Sequence, residues 1–170
     1  PEVTAQMVAN FQAGGAAVNQ LCRTFGVDLA VIPLDLDNPT ADFTQGPAMT
    51  AADFAGAFQA GADAVSDQAD LLCIGEMGIA NTTAAAAICL SLFGGTGADW
   101  AGPGTGLPSA GVSAKAAVIE RAVAVNGVDP ADGLSVLRTL GGRELAAMAG
   151  AVAKARKQGV PVLLDGFVSG

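Results

Sequence analysis

The sequence predicts an α/β fold: a Rossmann-like, three-layer arrangement with a parallel sheet and glycine-rich loops at the carboxyl edge of its strands. Three observations carry this reading. Short apolar runs at Asp28–Leu34, Leu71–Ile74 and Val160–Leu164 have strand length and are bounded by turn residues. Alanine-rich stretches separate them, which gives parallel strands joined by helical crossovers on both faces. A composition of 51% hydrophobic and 14% charged residues, with 23 glycines, describes a packed interior with many turns and excludes a disordered chain.

In chain order, Thr4 to Phe25 carries apolar residues at helical spacing and stops at Gly26, suited to a left-handed C-cap. Gly14 and Gly15 interrupt its middle, as close packing against a neighbour would require. Asp28–Leu34 is expected as a strand, with Pro33 near its end or on an edge. Asp35 to Met49, with Asn38-Pro39, reads as a loop. Thr50-Ala51-Ala52-Asp53 resembles a capping box with Asp in the Glu position, opening a helix that runs towards Gln68. Leu71–Ile74 is expected as a buried strand, and Thr82 to Leu92 as a helix that Asn81, Thr82 or Thr83 could cap. Gly94 to Gly111 holds seven glycines and two prolines, and so long a stretch in a compact domain is more often functional than idle. Ser113 is expected to cap a helix to about Val125, Asp129-Pro130 to start a short one, and Gly142-Arg143-Glu144-Leu145 to open another that ends before Gly159. Val160–Leu164 is the last strand, and Asp165-Gly166 leaves its carboxyl end.

Residues 1–170 read as a single α/β domain, able to bury about 70% of its unfolded surface. Only three strands are legible. A parallel sheet that small leaves apolar edges, and the chain opens without methionine, so a piece of a larger domain is expected. A net charge of −8, no histidine and eight scattered Lys and Arg argue against nucleic acid as a partner. No apolar run approaches the ~20 residues of a spanning helix, so no membrane partner and a cytoplasmic location are expected. Cys22, Cys73 and Cys89 show no metal-ligand spacing and read as buried small side chains in a reducing compartment; neither a metal nor an organic cofactor is expected. Ala84 to Ala87 read as a close-packed helix face, Met7, Met49, Met77 and Met148 as core, and Trp100 as a lid, a packing plug or a platform for a flat ring.

Gly75-Glu76-Met77-Gly78-Ile79-Ala80-Asn81-Thr82-Thr83 places a carboxylate and a small-residue loop between an apolar strand and an alanine-rich helix. Free backbone N–H groups at such a turn, with the helix dipole behind them, favour an anion. Glu76 is then unexpected, because a carboxylate beside an anion site is repelled unless it has another task.

This stretch resembles the signature of the nicotinate-nucleotide:dimethylbenzimidazole phosphoribosyltransferases, enzymes that build the lower-ligand nucleotide of cobalamin. The family pattern reads Gly-Glu-Met-Gly-Ile-Gly-Asn-Thr-Thr, and only Ala80 departs from it. Three further segments match in the same order: Val3 to Val8, Gly102 to Leu107 followed by Lys115, and Val162 to Phe167. The resemblance implies attack of a benzimidazole nitrogen on the ribose C1′ of nicotinate mononucleotide, with nicotinate leaving through an oxocarbenium-like transition state. It also implies a homodimer, for which the helix from Thr4 with its glycine pair is a plausible surface. A non-catalytic nucleotide- or phosphate-binding domain and an inactive stable fragment are the alternatives.

Such chemistry needs donors for the 5′-phosphate and carboxylates beside the sugar cation. Backbone N–H groups around Gly78 and at Gly104-Thr105-Gly106, with the Lys115 ammonium, are the phosphate candidates. On residue type alone, Lys115 is also an ordinary solvated helix residue, and the glycines also suit tight turns. Glu76 and Asp165 follow strands at their carboxyl ends and are the candidate catalytic carboxylates. Pattern alone equally allows Asp165 an Asx-type turn with Gly166 and Glu76 a helix-capping place. The resemblance implies that Glu76, Gly78, Lys115 and Asp165-Gly166-Phe167 line the nucleotide site, with Phe167 as an apolar wall, and the expected substrate-contacting set is Met77, Gly78, Asn81, Thr82, Gly104, Thr105, Lys115, Gly166 and Phe167. The family's general-base glutamate belongs to a segment beyond the match to Ser169, so these 170 residues are expected to show at most residual activity; loss of such a base costs about 10²- to 10⁴-fold.

Overall fold

The computed structural model describes residues 2–104, 106 and 108–170. The elements run α1 Glu2–Gln12, α2 Ala17–Phe25, α3 Ala51–Asp63, β1 Leu72–Ile74, α4 Asn81–Phe93, α5 Gly97–Trp100, α6 Ser109–Asn126, α7 Gly133–Leu140, α8 Arg143–Gln158 and β2 Val162–Leu164. They divide into two compact units. One holds the residues up to Pro39 with Met77–Ile79, and the other holds Thr40–Glu76 with Ala80–Gly170.

In the first unit the helix expected from Thr4 to Phe25 is two helices. The chain breaks at Gly14, in the left-handed region at φ 74°, and the break is tied down by Arg23 and Gln20, whose side chains each donate to the Gly14 carbonyl at 3.0 Å. Gly26 closes α2 in the expected left-handed cap. Asp28–Leu34 forms no strand. Pro33 has no N–H to give, and the unit contains no second strand among its described residues to supply a ladder. Asp35 to Met49 is irregular, as expected.

The second unit is built on α3 and α8. Thr50 and Asp53 form the expected capping box, Thr50 Oγ1 accepting from the Asp53 N–H at 3.1 Å. The helix ends at Asp63, short of Gln68. Close approach to α8 depends on Gly61 and Gly150: a Cβ on Gly61 would lie 1.7 Å from the Ala147 carbonyl oxygen, and one on Gly150 would lie 1.9 Å from that of Phe58. Two α-helices meet backbone to backbone only where such side chains are missing.

β1 and β2 pair in parallel, Leu72 with Val162, Cys73 with Leu163 and Ile74 with Leu164. One face, Leu72, Ile74 and Val162, packs on Val65 of the loop after α3 and on Ala151 and Ala155 of α8. The other, with Cys73 and Leu163, is uncovered: Cys73 is exposed and Leu163 is 54% exposed, and Leu164 at the end of the packed face is equally exposed. The expectations of a strand buried on both faces and of a buried Cys73 are therefore corrected, because strand side chains alternate and helices cover one side only.

Between the strands, α4, α6 and α7 enclose a core of Ala86, Ala87, Ile119, Ala122, Val136 and Leu140. The alanine face of α4 is buried as expected. Helix α6 begins at Ser109, four residues before the expected cap, since Ser113 donates back to the Ser109 carbonyl. Asp132 rather than Asp129 caps α7, and Asp129 accepts from the Ala131 N–H in the preceding turn. Met49 and Met148 are core, whereas Met77 is 43% exposed. No helix among the described residues is long and apolar enough to cross a membrane.

Candidate active site

The carboxyl ends of β1 and β2 leave the sheet side by side, since Ile74 pairs with Leu164. One leads to Glu76 and the other to Asp165. After Asp165 the chain turns through Gly166 at φ 102°, and Ser169 Oγ closes the turn by donating to the Asp165 carbonyl at 2.6 Å. Val168 packs against the Ala84, Leu145 and Met148 cluster and anchors this loop to α4 and α8. The Asp165 side chain is exposed and forms no Asx turn among the described residues; the loop is closed instead by the Ser169 hydroxyl. Phe167 is 55% exposed beside it.

Helix α4 starts differently from the sequence reading. Its N-cap is Ala80, in the left-handed region at φ 66°, with no side-chain cap. That conformation costs an L-residue with a Cβ about 1–2 kcal/mol, and glycine escapes the cost. The departure of Ala80 from the Gly of the resembled signature falls at the position where glycine is physically favoured.

Asn81 is thereby released from capping and is buried. Its side-chain Nδ2 donates to Glu76 Oε2, and the carboxylate of Glu144 in the first turn of α8 lies near enough to feel both groups. The Glu76 carboxylate thus lies at the N-terminal end of α4, where the helix dipole favours negative charge. Glu144 has its carboxyl held above the usual carboxylate range chiefly by burial. Its own backbone N–H and the Asn81 amide oppose that, the Glu76 charge adds to it, and Arg143 counters.

On the neighbouring helix, Lys115 is only 8% exposed. Nζ donates to Thr82 Oγ1 at 2.8 Å and to the Gly102 carbonyl at 3.3 Å. It has no carboxylate partner among the described residues, and burial pushes its pKa down. An ammonium has three N–H donors, so one is left for a further acceptor. Gly104, at φ 54°, brings its backbone against this pair: a Cβ there would stand 3.5 Å from Thr82 Oγ1 and 4.0 Å from Lys115 Nζ. The solvated-helix reading of Lys115 is excluded.

Thus Glu76, Asn81, Thr82, Gly104 and Lys115 gather around the first turn of α4, with Asp165, Gly166 and Phe167 on the loop after the paired strand. Met77 and Gly78 fall in the other compact unit, and Thr105 lies outside the described residues. Trp100 is a packing plug, its Nε1 donating to the Gly94 carbonyl at 2.9 Å and its ring 6.0 Å from that of Phe93. Sequence reasoning missed Glu144. An acidic residue in the first turn of a helix reads as ordinary dipole complement, and nothing local shows that it faces Asn81, 63 positions earlier (144 − 81).

Lys115 of α6, its buried Nζ at the first turn of α4 and faced by the Gly104 backbone, thus stands beside the carboxyl ends of two parallel strands in a helix-rich α/β chain. The chain belongs to the phosphoribosyltransferase family, whose model matches residues 1–170. It is 56% identical over 168 residues to a nicotinate-nucleotide–dimethylbenzimidazole phosphoribosyltransferase of Cereibacter sphaeroides, covering 99% of this chain and 50% of that protein. A protein of the same name from a Ruegeria species is 58% identical over 167 residues, with 98% and 49% covered. The crystal structure of CobT from Thermus thermophilus superposes with a TM-score of 0.84 at 37% identity, over 99% of this chain and 56% of that one. The chain therefore spans about half the length of the curated relatives it matches.

Proposed function

We propose that this chain supplies the nucleotide-binding part of an enzyme that transfers the phosphoribosyl group of nicotinate mononucleotide to 5,6-dimethylbenzimidazole, giving α-ribazole 5′-phosphate and nicotinate in cobalamin biosynthesis. The carrying observation is Lys115: a buried ammonium without a carboxylate is costly unless an anion completes it, and a 5′-phosphate does so. Thr82 and the Gly102–Gly104 backbone hold Nζ in place, and the N-terminal turn of α4 adds its dipole.

With the phosphate held there, the ribose lies towards Glu76 and Asp165. The benzimidazole nitrogen forms its bond to C1′ as the C1′–nitrogen bond to nicotinate breaks; nicotinate leaves with that electron pair, and the proton on the second benzimidazole nitrogen passes to a base. Positive charge develops on the sugar in between, and the two carboxylates stabilise it. The Asn81 bond holds Glu76 in a fixed pose for that role. The same reading takes the sheet as the centre of a three-layer, Rossmann-like domain and the protein as a homodimer, and assigns Met77, Gly78, Thr105, Gly166 and Phe167 to substrate contact.

Calorimetric titration tests the phosphate assignment. Nicotinate mononucleotide should bind, and the riboside that lacks the phosphate should bind far more weakly; equal affinities would sink it. Turnover by the full-length protein with Glu76→Gln then tests the chemistry, since an unchanged rate removes Glu76 from it.

A further inference from the structure

We propose that Glu120 is a positioning residue for phosphate binding: by clamping α5 to α6 it fixes the Gly102 carbonyl that aims the Lys115 ammonium. The segment from Gly97 to Gly102 is held on α6 at both ends. At one end Glu120 Oε1 accepts from the Gly97 N–H at 2.9 Å. At the other, Lys115 Nζ donates to the Gly102 carbonyl at 3.3 Å. Five residues separate the two contacts on each segment (102 − 97 and 120 − 115), so the segment and the helix run antiparallel and in register. Between the ends, the Ala101 N–H donates to the Gly97 carbonyl at 2.9 Å, so the position of Gly97 sets that of the residue just before Gly102.

Helix α5 needs this outside acceptor. It has four residues, and its N-cap Thr96 gives it no side-chain cap; the Thr96 hydroxyl donates to Asp99 instead, at 2.8 Å. Gly97 is buried, and the first N–H of a helix has no partner within the helix, so Glu120 satisfies a donor that is costly to leave bare. The seat is close: a Cβ on Gly97 would stand 2.4 Å from the Ala116 carbonyl oxygen and 2.9 Å from Glu120 Cγ. Ala116 adjoins Lys115 and Glu120 lies one turn further on, so the same stretch of α6 seats α5 and carries the ammonium. With Thr82 Oγ1 and the Gly102 carbonyl both in place, two N–H groups of Lys115 are used and the third is aimed at one point. Once Gly102 shifts, Nζ keeps only Thr82 and turns about its terminal bond, and a phosphate must order it on binding. Glu120 itself is exposed, so replacing it opens no cavity in the core.

The choice of ligand rests on the phosphoribosyl-transfer reading, whereas the clamp rests on the contacts alone. In ¹⁵N-labelled protein the Gly97 amide proton should shift and exchange faster in Glu120→Met, which keeps the side-chain length and removes the acceptor. It should return in Glu120→Gln, whose Oε1 still accepts. Calorimetry should show affinity for nicotinate mononucleotide falling about 3- to 10-fold in Glu120→Met and recovering in Glu120→Gln. In full-length protein the same factor should appear in KM for nicotinate mononucleotide while kcat holds; a merely structural loss would lower kcat through the active fraction and leave KM alone. An unmoved Gly97 amide, a fall in kcat at constant KM, or unchanged nucleotide affinity once the amide has moved would overturn the positioning role. Inorganic phosphate is the second ligand. If the unaltered protein binds it but not nicotinate mononucleotide, and Glu120→Met weakens it by the same factor, the nucleotide reading falls and the Glu120 clamp stands. Binding of neither ligand by the unaltered protein would overturn both.

Discussion

Lys115 Nζ donates to Thr82 Oγ1 across 2.8 Å, joining α6 to the first turn of α4 with no carboxylate among the described residues to balance the buried charge. Function and stability should therefore separate at this residue. On the proposed function, Lys115→Met removes a charge-assisted contact to phosphate of about 1.5–3 kcal/mol, so affinity for nicotinate mononucleotide should fall roughly 10- to 100-fold by calorimetry. Thermal stability should stay the same or rise, because an uncompensated ammonium leaves the interior. A melting temperature lowered by many degrees with affinity intact would show that Lys115 is a purely structural residue.

Ala80 should be improvable. At φ 66° its Cβ is strained, and Ala80→Gly relieves about 1–2 kcal/mol, less the extra chain entropy that glycine loses on folding. The net gain should be about 1 kcal/mol, a rise of roughly 2–4 °C in melting temperature for a chain this long. A lower melting temperature would mean that the Ala80 methyl group makes packing contacts worth more than the strain.

The α3–α8 interface should tolerate no added methyl. Gly61→Ala and Gly150→Ala each drive a Cβ into a backbone carbonyl of the partner helix, which neither side chain rotation nor a small shift relieves. Each should cost about 3 kcal/mol or more, read by denaturant melts. Gly56→Ala, on the exposed side of α3 with nothing within 4 Å, should instead stabilise by roughly 0.5–1 kcal/mol. Equal effects at the three positions would contradict the packing described.

Glu144 should leave a signature in the pH dependence of stability. Its folded pKa lies above the ordinary 4.5, chiefly through burial, so between 4.5 and the folded value the native state holds more proton than the unfolded chain. Its contribution is fully present below 4.5 and is lost as pH rises through the folded value. Glu144→Gln, which cannot ionise, should gain stability relative to the unaltered protein as pH rises through that window and keep the gain at neutral pH. Parallel melting-temperature curves for the two proteins would refute the shift. Glu76 and Arg143, the charged groups that act on Glu144, are unchanged in the comparison.

Much of this was legible in the chain itself. The Thr50–Asp53 capping box, the Gly26 and Gly159 caps, the alanine face of α4 and the strands near Leu71 and Val160 all rest on local rules, and local rules are written in neighbouring residues. The Asp28–Leu34 strand failed because a strand exists only through a partner's ladder, which no stretch of its own sequence supplies. Ser113 and Asp129 misplaced two helix starts, since either residue type serves a cap or an adjacent turn equally well.

The sequence by itself determined that Glu76, Asn81, Thr82, Gly104, Lys115 and Asp165 were the residues to consider, because a strand, a small-residue turn and a helix place such groups at one edge of a sheet. Their surroundings were set only in three dimensions. Burial of Lys115 against Thr82 joins segments 33 residues apart (115 − 82), and the approach of Glu144 to Glu76 joins segments 68 apart (144 − 76), while the left-handed Ala80 releases its neighbour Asn81 from capping. Desolvation and hydrogen-bond geometry depend on what surrounds a group in space, and that is set by helices packing on one another rather than by the residues on either side.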